Sequence, residues 1–210
     1  MALEQEAIVE AGLGLLEEEG FEGLSLRKIA DALGVQTPAL YWHVKSRADL
    51  FSLMAEHMFR EALADVDESL DARDWLLGLG RSLYATHNRR RNAASLVGAV
   101  MPTPGLRHDL LGQVAARLAA GGLDPDAAFV VQSAVLSLTL GWSLFLSNPH
   151  VADLMQQSID VDEGFEKSLV ALVNGLFGDA PITRPLASPL AAAPYIAAAP
   201  SSLRIGDRLD

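Results

Sequence analysis

Gln36, Thr37, Tyr41, Trp42, His43 and Lys45 crowd into one short stretch of the chain, with Arg27 and Lys28 a few residues before them. Amides, hydroxyls, aromatic faces and cations gathered in this way suit the reading of double-stranded DNA, where side-chain donors and acceptors meet base edges and cations meet phosphate. Catalysis finds no comparable grouping. The histidines at 43, 57, 87, 108 and 150 are scattered and no glycine-rich phosphate loop occurs. Glu56 and His57 are the one carboxylate–imidazole neighbour pair, and adjacent residues on a helix point in different directions. No enzyme activity, cofactor or metal is therefore expected.

The elements that must position these groups are written into the residues from Ser25 to Arg47. Ser25 stands where a helix needs a cap for its free N–H groups, and Leu26, Ile29, Ala30 and Leu33 follow at helical spacing. Gly34 is placed to end that helix in a left-handed turn. Val35 and Gln36 then form the link to a second helix, for which Thr37 is the expected cap and Pro38 the first helical residue, a position where proline's missing N–H costs nothing. Leu40 and Val44 are spaced to anchor this second helix inward. Gln36, Thr37, Ala39, Tyr41, Trp42 and His43 project from its start and outer side, the part of a recognition helix that reaches base edges. Burial of Tyr41 and Trp42 as ordinary core aromatics is the competing reading.

The formal net charge of −11, taken as a total, argues against a polyanionic partner. Its distribution removes the conflict. Residues 1–50 hold four bases against nine acids, but within 24–47 the same four, Arg27, Lys28, Lys45 and Arg47, face Asp31 alone. Positive charge is concentrated on the reading stretch, and Glu4, Gln5 and Glu6 leave the start of the chain without a cationic side chain, so few phosphate contacts and a shallow salt dependence are expected. The 210 residues, half of them hydrophobic, suffice for a small DNA-binding module and one larger domain. The absence of cysteine excludes disulfides and thiol chemistry. Neither a basic lead nor an apolar run opens the chain, and a cytoplasmic protein is expected.

The string LRKIADALGVQTPALYWHVKSRADL resembles the helix-turn-helix of the tetracycline-repressor (TetR) family, and Leu40-Tyr41-Trp42-His43-Val44-Lys45 is close to the wording of its tetracycline-responsive branch. The resemblance implies a homodimeric repressor of double-stranded DNA that responds to a small-molecule inducer. It implies that Arg27 approaches a base or phosphate, that Gln36, Thr37, Pro38, Ala39, Tyr41, Trp42 and His43 form the reading head, and that Lys45 grips phosphate with Tyr41. Lys28 shares the outer face with Arg27.

The remainder of the chain reads as helices throughout, giving an all-α protein divided into a DNA-binding domain (1–47), a ligand-binding and dimerisation domain (48–178) and a Pro/Ala-rich tail (179–210) expected to pack little. A first helix is expected from about Leu3 to Glu19, stopped by Gly20. Ser46, with Asp49 as a modest capping box, opens a fourth helix expected to run to about Leu70. A fifth spans Asp74 to about Asn88, closed by Arg89, Arg90 and Arg91 as a solvated cationic end. A sixth, Ala93 to Val100, is cut off by Pro102 and Pro104, and a seventh covers Leu106 to Ala120. Asp124-Pro125 and Asn148-Pro149 bracket an eighth helix that carries no charge beyond its first turn. Its length would span a bilayer, but Gln132, Ser133, Ser137, Thr139, Ser143 and Ser147 interrupt it and no basic flank follows, so no membrane is expected. A helix apolar on all sides must be covered on all sides. With the last helix, about Asp162 to Phe177, it is expected to form a four-helix interface with a second copy, the arrangement also typical of the family.

For the ligand, the resemblance places Pro102 and Gln113 where tetracycline-responsive members touch the drug, and Leu63, Ser82 and Thr86 at further contact positions. Val97 stands in place of the histidine that holds the drug's magnesium, and the eighth helix carries Ser137 at a second polar position. Metal–tetracycline binding is therefore not expected, because a hard cation needs converging oxygen or imidazole ligands. Walls built from Leu63, Thr86, Met101, Gln113, Ser137, Trp142 and Phe145 suit a bulky, mostly apolar or aromatic molecule, with ordinary core packing as the competing reading for each. A sequestering or signalling protein on the same fold, with little DNA affinity, is the alternative that this sequence leaves open.

Overall fold

The computed structural model describes residues 4–100, 103 and 105–178. Leu3, Met101, Pro102, Pro104 and the tail 179–210 lie outside the described residues. All ten α-helices among the described residues belong to one compact unit, which contains no strand.

The N-terminal helices are shaped by their caps. Helix α1 (Gln5–Gly23) is broken at Gly20, whose φ of 73° leaves the helical region at the expected stop. Ser25 caps α2 (Leu26–Leu33) by accepting from Lys28 N, and Gly34 ends it with φ 67°. Helix α3 (Thr37–Leu40) is a single turn, and its cap is Gln36 rather than Thr37. The reason is conformational: Gln36 keeps an extended backbone with ψ 137°, so Thr37 is already helical and Pro38 sits second. Ser46 caps α4 (Arg47–Ala64) through Asp49 N, while the Asp49 carboxylate accepts from Lys45 N at 2.8 Å. The expected capping box thus closes one residue earlier than the pattern prescribes.

Helix α4 ends at Ala64, short of Leu70, because Asp67 captures the Ser69 N–H at 2.8 Å and sets a turn that a helix cannot enter. Asp71 then caps α5 (Ala72–Arg89). The arginines after it are not simply a solvated end: Arg90 is largely covered and pairs with Glu61 of α4 at 2.6 Å and Glu17 of α1 at 3.6 Å. Helix α6 (Ala93–Ala99) follows. Helix α7 (Leu111–Ala120) is entered through a π-helical turn, Gly105–Leu110, where one continuous α-helix was expected. Helix α8 (Pro125–Ser147) is bracketed as the sequence indicated. Pro149, however, also opens a helix that the pattern did not reveal, α9 (Pro149–Ser158), with Asn148 accepting from His150 N at 3.1 Å. Helix α10 (Val161–Phe177) completes the bundle.

Two apolar cores result. Ile8, Leu13, Leu16, Ile29, Leu40 and Val44 of α1–α3 close on Leu50, Phe51, Met54 and Met58 of α4, with Ala93 and Leu96 of α6 beneath them. The second core joins the far end of α4 to α5, α7, α8 and α10 through Phe59, Trp75, Leu76, Val114, Val131, Phe165 and Leu169. Gly80 allows a close approach there, since a Cβ at that position would stand 2.7 Å from Leu169 Cδ1. Helix α4 is the one element that contributes side chains to both cores along nearly its whole length.

Candidate nucleic-acid interface and ligand cleft

The reading head is an exposed surface fixed from below. Leu40 and Val44 are fully buried, and removing two such aliphatic side chains from water stabilises the turn by about 1.5–3 kcal/mol each. The turn they anchor holds Tyr41 56% exposed and Trp42 89% exposed. Neither ring is a core aromatic. Gln36, Pro38 and Lys45 are exposed as well, Thr37 and Ala39 are half-buried, and His43 is half-buried with its carbonyl accepting from Gln5 Nε2 at 3.0 Å. Arg27 and Lys28 lie exposed on α2 beside them.

The four cations counted on this stretch behave differently. Arg47 is turned inward: Nη2 donates to the Phe21 carbonyl, the guanidinium lies 5.1 Å from the Phe51 ring centre, and burial lowers its pKa. Lys28 is paired with Glu19 of α1. Arg27 and Lys45 make no ion pair among the described residues, which leaves the positive charge of each head resting chiefly on these two.

Polar ties connect the head to the rest of the chain. His57 and Glu10 meet at 2.8 Å between α4 and α1, and Asn92, at φ 66°, donates through Nδ2 to the Leu16 carbonyl at 3.1 Å. Burial works to raise the Glu61 carboxyl, but the Arg90 hydrogen bond and the charges of Arg90, Arg89 and His57 override it and leave the pKa below its ordinary value. At the middle of α4, Glu56 is buried and binds in two directions. One oxygen accepts from Arg60 Nη2 at 2.6 Å and the other from Thr103 Oγ1, which itself accepts from Leu106 N at 2.9 Å. A carboxylate on α4 thereby holds the first turn of the π-helical segment.

In the body, Leu63 and Gln113 both line a cleft of about 190 Å³ whose other walls are Glu68, Trp75, Val114 and Arg117. A second hollow of about 290 Å³, lined by Arg60, Leu63, Ala64, Glu68 and Leu110, shares Leu63 and Glu68 with it. The remaining candidates stand elsewhere. Ser82 is half-buried and Thr86 fully buried on α5, Ser137 and Phe145 lie at the surface of α8, and Trp142 packs edge-on to Phe165 with ring centres 6.1 Å apart. Trp75, Arg117, Glu68 and Arg60 were not singled out from sequence. They come from four separate elements, so no local spacing marks them as neighbours. Among the described residues no cluster of three His, Asp or Glu side chains is arranged to hold a metal ion.

Several polar atoms of the body are buried without a hydrogen-bond partner among the described residues: Trp75 Nε1, Thr86 Oγ1, His87 Nδ1, Arg117 Nε and Gln132 Oε1. Burial pushes the His87 imidazole down to about 4, so it is neutral at physiological pH.

An anchored helix-turn-helix that presents aromatic and polar groups outward, joined by one long helix to an all-α body with a cleft, is the architecture of a DNA-binding regulator. Residues 8–54 match the family described as bacterial regulatory proteins, tetR family. The chain is 29% identical over 197 residues to the class A tetracycline repressor protein from transposon 1721 of Escherichia coli, with 83% of this chain and 90% of the relative covered. Its fold is similar to a TetR variant from Acinetobacter baumannii AYE in complex with minocycline, at a TM-score of 0.68 and 28% identity over 82% of this chain and 96% of that one. It is also similar to class A TetR in complex with 5a,6-anhydrotetracycline and magnesium, at a TM-score of 0.67 and 26% identity over 83% and 98%. The tetR-family match covers residues 8–54, and along most of its length the chain is similar to tetracycline repressors, which supports a ligand-responsive, DNA-binding transcriptional repressor.

Proposed function

We propose that this chain is a cytoplasmic repressor that holds a palindromic operator as a homodimer and lets it go when a small, mostly apolar or aromatic molecule enters the body between α4, α5 and α7. Residues 1–47 read the DNA, and 48–178 bind the ligand and the second copy. The observation that carries the reading is the display of Trp42 and Tyr41 on a turn whose underside, Leu40 and Val44, is completely buried. A side chain as large and apolar as tryptophan stays in water at a rigid site at a cost, and contact with base edges and sugars is what such a display serves.

The second copy has a face to occupy. Phe129, Val130, Leu144 and Phe145 are all open on α8 at spacings that place them along one side of the helix. Pairing that side, with α10, across a two-fold axis covers it and sets two heads apart. Heads separated by about 34–36 Å meet successive major grooves on one side of DNA, hence a palindromic site. Within each chain, Glu56 joins the segment entering α7 to α4, and the bond from Lys45 N to Asp49 in the first turn of α4 lies at the head. A ligand that moves the π-helical turn therefore moves α4 and the head with it.

Operator binding by Tyr41→Phe and Lys45→Ala tests the head. Each is expected to weaken binding about three- to tenfold as measured by fluorescence anisotropy, with Lys45→Ala also reducing the salt slope. Unchanged affinity in both would remove these residues from the interface.

A further inference from the structure

The cleft of the body already contains an anion, supplied by the chain itself. Arg117 lies over Trp75 with its guanidinium carbon 4.7 Å from the ring centre. Its Nη2 donates to the backbone carbonyls of Glu68 at 2.7 Å and Leu70 at 3.2 Å, and its Nη1 donates to the Glu68 carboxylate at 2.7 Å. These contacts differ in permanence. The carbonyls and the buried indole are parts of the fold, whereas the Glu68 side chain is 68% exposed. Arg117 is thus a cation held in place by the backbone, with a replaceable carboxylate on one of its nitrogens. Beside it, Arg117 Nε and Trp75 Nε1 are buried donors without an acceptor among the described residues. Leu63 and Val114 supply an apolar wall, and the exposed Gln113 also lines the cleft.

We propose that the molecule this cleft accepts is an amphipathic aromatic acid. Its carboxylate, sulfonate or phenolate oxygen takes the place of Glu68 on Arg117, and its ring system lies along Leu63 and Val114. The assignment rests on the ligand-responsive reading above and specifies the chemistry of that ligand. Exchange of one anionic oxygen for another leaves Arg117 paired throughout and returns Glu68 to water, so the exchange itself is nearly balanced. What favours the ligand is burial of its apolar body and acceptors for donors that have none. A neutral ligand of the same shape gains the burial and not the second contribution.

The test uses the full-length protein and two probes that share a ring system, 1-anilinonaphthalene-8-sulfonate and the uncharged N-phenyl-1-naphthylamine, titrated by fluorescence. Arg117→Gln is expected to weaken the sulfonate about tenfold and to leave the neutral probe within about twofold. Glu68→Gln, on an exposed side chain, removes the internal competitor and is expected to tighten the sulfonate about threefold without moving the neutral probe. A purely structural role for the Arg117–Glu68 pair would not produce opposite effects from its two halves. Equal effects of Arg117→Gln on both probes, no effect on either, weaker sulfonate binding in Glu68→Gln, or a wild-type protein that binds neither probe would overturn the proposal. A DNA mobility shift run alongside separates the two levels. Release of DNA by neutral aromatics but not by acids would sink the acid site and keep the repressor reading. Charge-dependent probe binding by a protein that forms no DNA complex would do the reverse.

Discussion

The reading head and the body solve opposite problems. In the head, the polar groups that matter are paired: Ser25 and Ser46 each satisfy a helix-start N–H, Asp49 accepts from Lys45 N, and Gln5 donates to the His43 carbonyl. The surface above them is fixed before any DNA arrives. In the body, Trp75, Thr86, His87, Arg117 and Gln132 each leave a buried polar atom without a partner among the described residues, whereas the head leaves one, Arg47 Nε. Such groups cost free energy until something bonds to them. The exposed surface of the head is built complete, and the body is left incomplete, at the cleft through Trp75 and Arg117 and deeper inside through Thr86, His87 and Gln132.

Substitutions sharpen this contrast in order of size. Leu40→Ala removes the fully buried anchor of the head and is expected to cost about 2–5 kcal/mol in urea denaturation followed by circular dichroism, with DNA binding lost first. In the body, His87 stays neutral down to about 4, below the ordinary 6.5, so the unfolded chain takes up its proton first as pH falls. Stability is fully present above about pH 6.5 and declines toward pH 4, by an amount on the order of 3 kcal/mol, and His87→Leu is expected to flatten that part of the profile. A steepened profile in the variant would contradict the assignment. Ser25→Ala, which deletes a cap in the head, is expected to cost about 1 kcal/mol. Thr86→Val is its counterpart: it deletes a buried hydroxyl that bonds to nothing described, and stability is expected to stay level or rise by up to about 1 kcal/mol. A loss as large as that from Ser25→Ala would remove the contrast between the two regions.

The same contrast explains what the sequence disclosed. Ser25, Gly34, Pro38 and Ser46 act on residues within four positions of themselves, so their work is visible in the local order of residue types, and the head was legible almost residue by residue. Thr37 misled because Pro38 suggested a helix start one residue too late. The end of α4 depended on Asp67 preferring the Ser69 N–H, a competition that apolar periodicity does not register. Helix α9 escaped notice because it has no buried residue and Pro149 was already accounted for as the end of α8. Leu63 and Gln113 could be placed together through resemblance alone. Trp75 and Arg117, 42 positions apart by number, meet only because α5 and α7 pack, and Arg47 could not be told from a surface cation until its bond to the Phe21 carbonyl was seen.

The central claim is that a head built on Leu40 and Val44 displays Tyr41 and Trp42 to specific DNA. Its most direct test is a footprint and mobility shift with the full-length protein on DNA flanking its own gene, at two salt concentrations, with Trp42→Ala beside the wild type. A discrete complex protecting a two-fold symmetric site is expected, lost in Trp42→Ala. With Arg27 and Lys45 as the unpaired cations of each head, the log–log salt slope is expected to be no steeper than about −4. A folded, dimeric protein that gives no discrete complex, or one whose complex is indifferent to Trp42→Ala, would contradict the account.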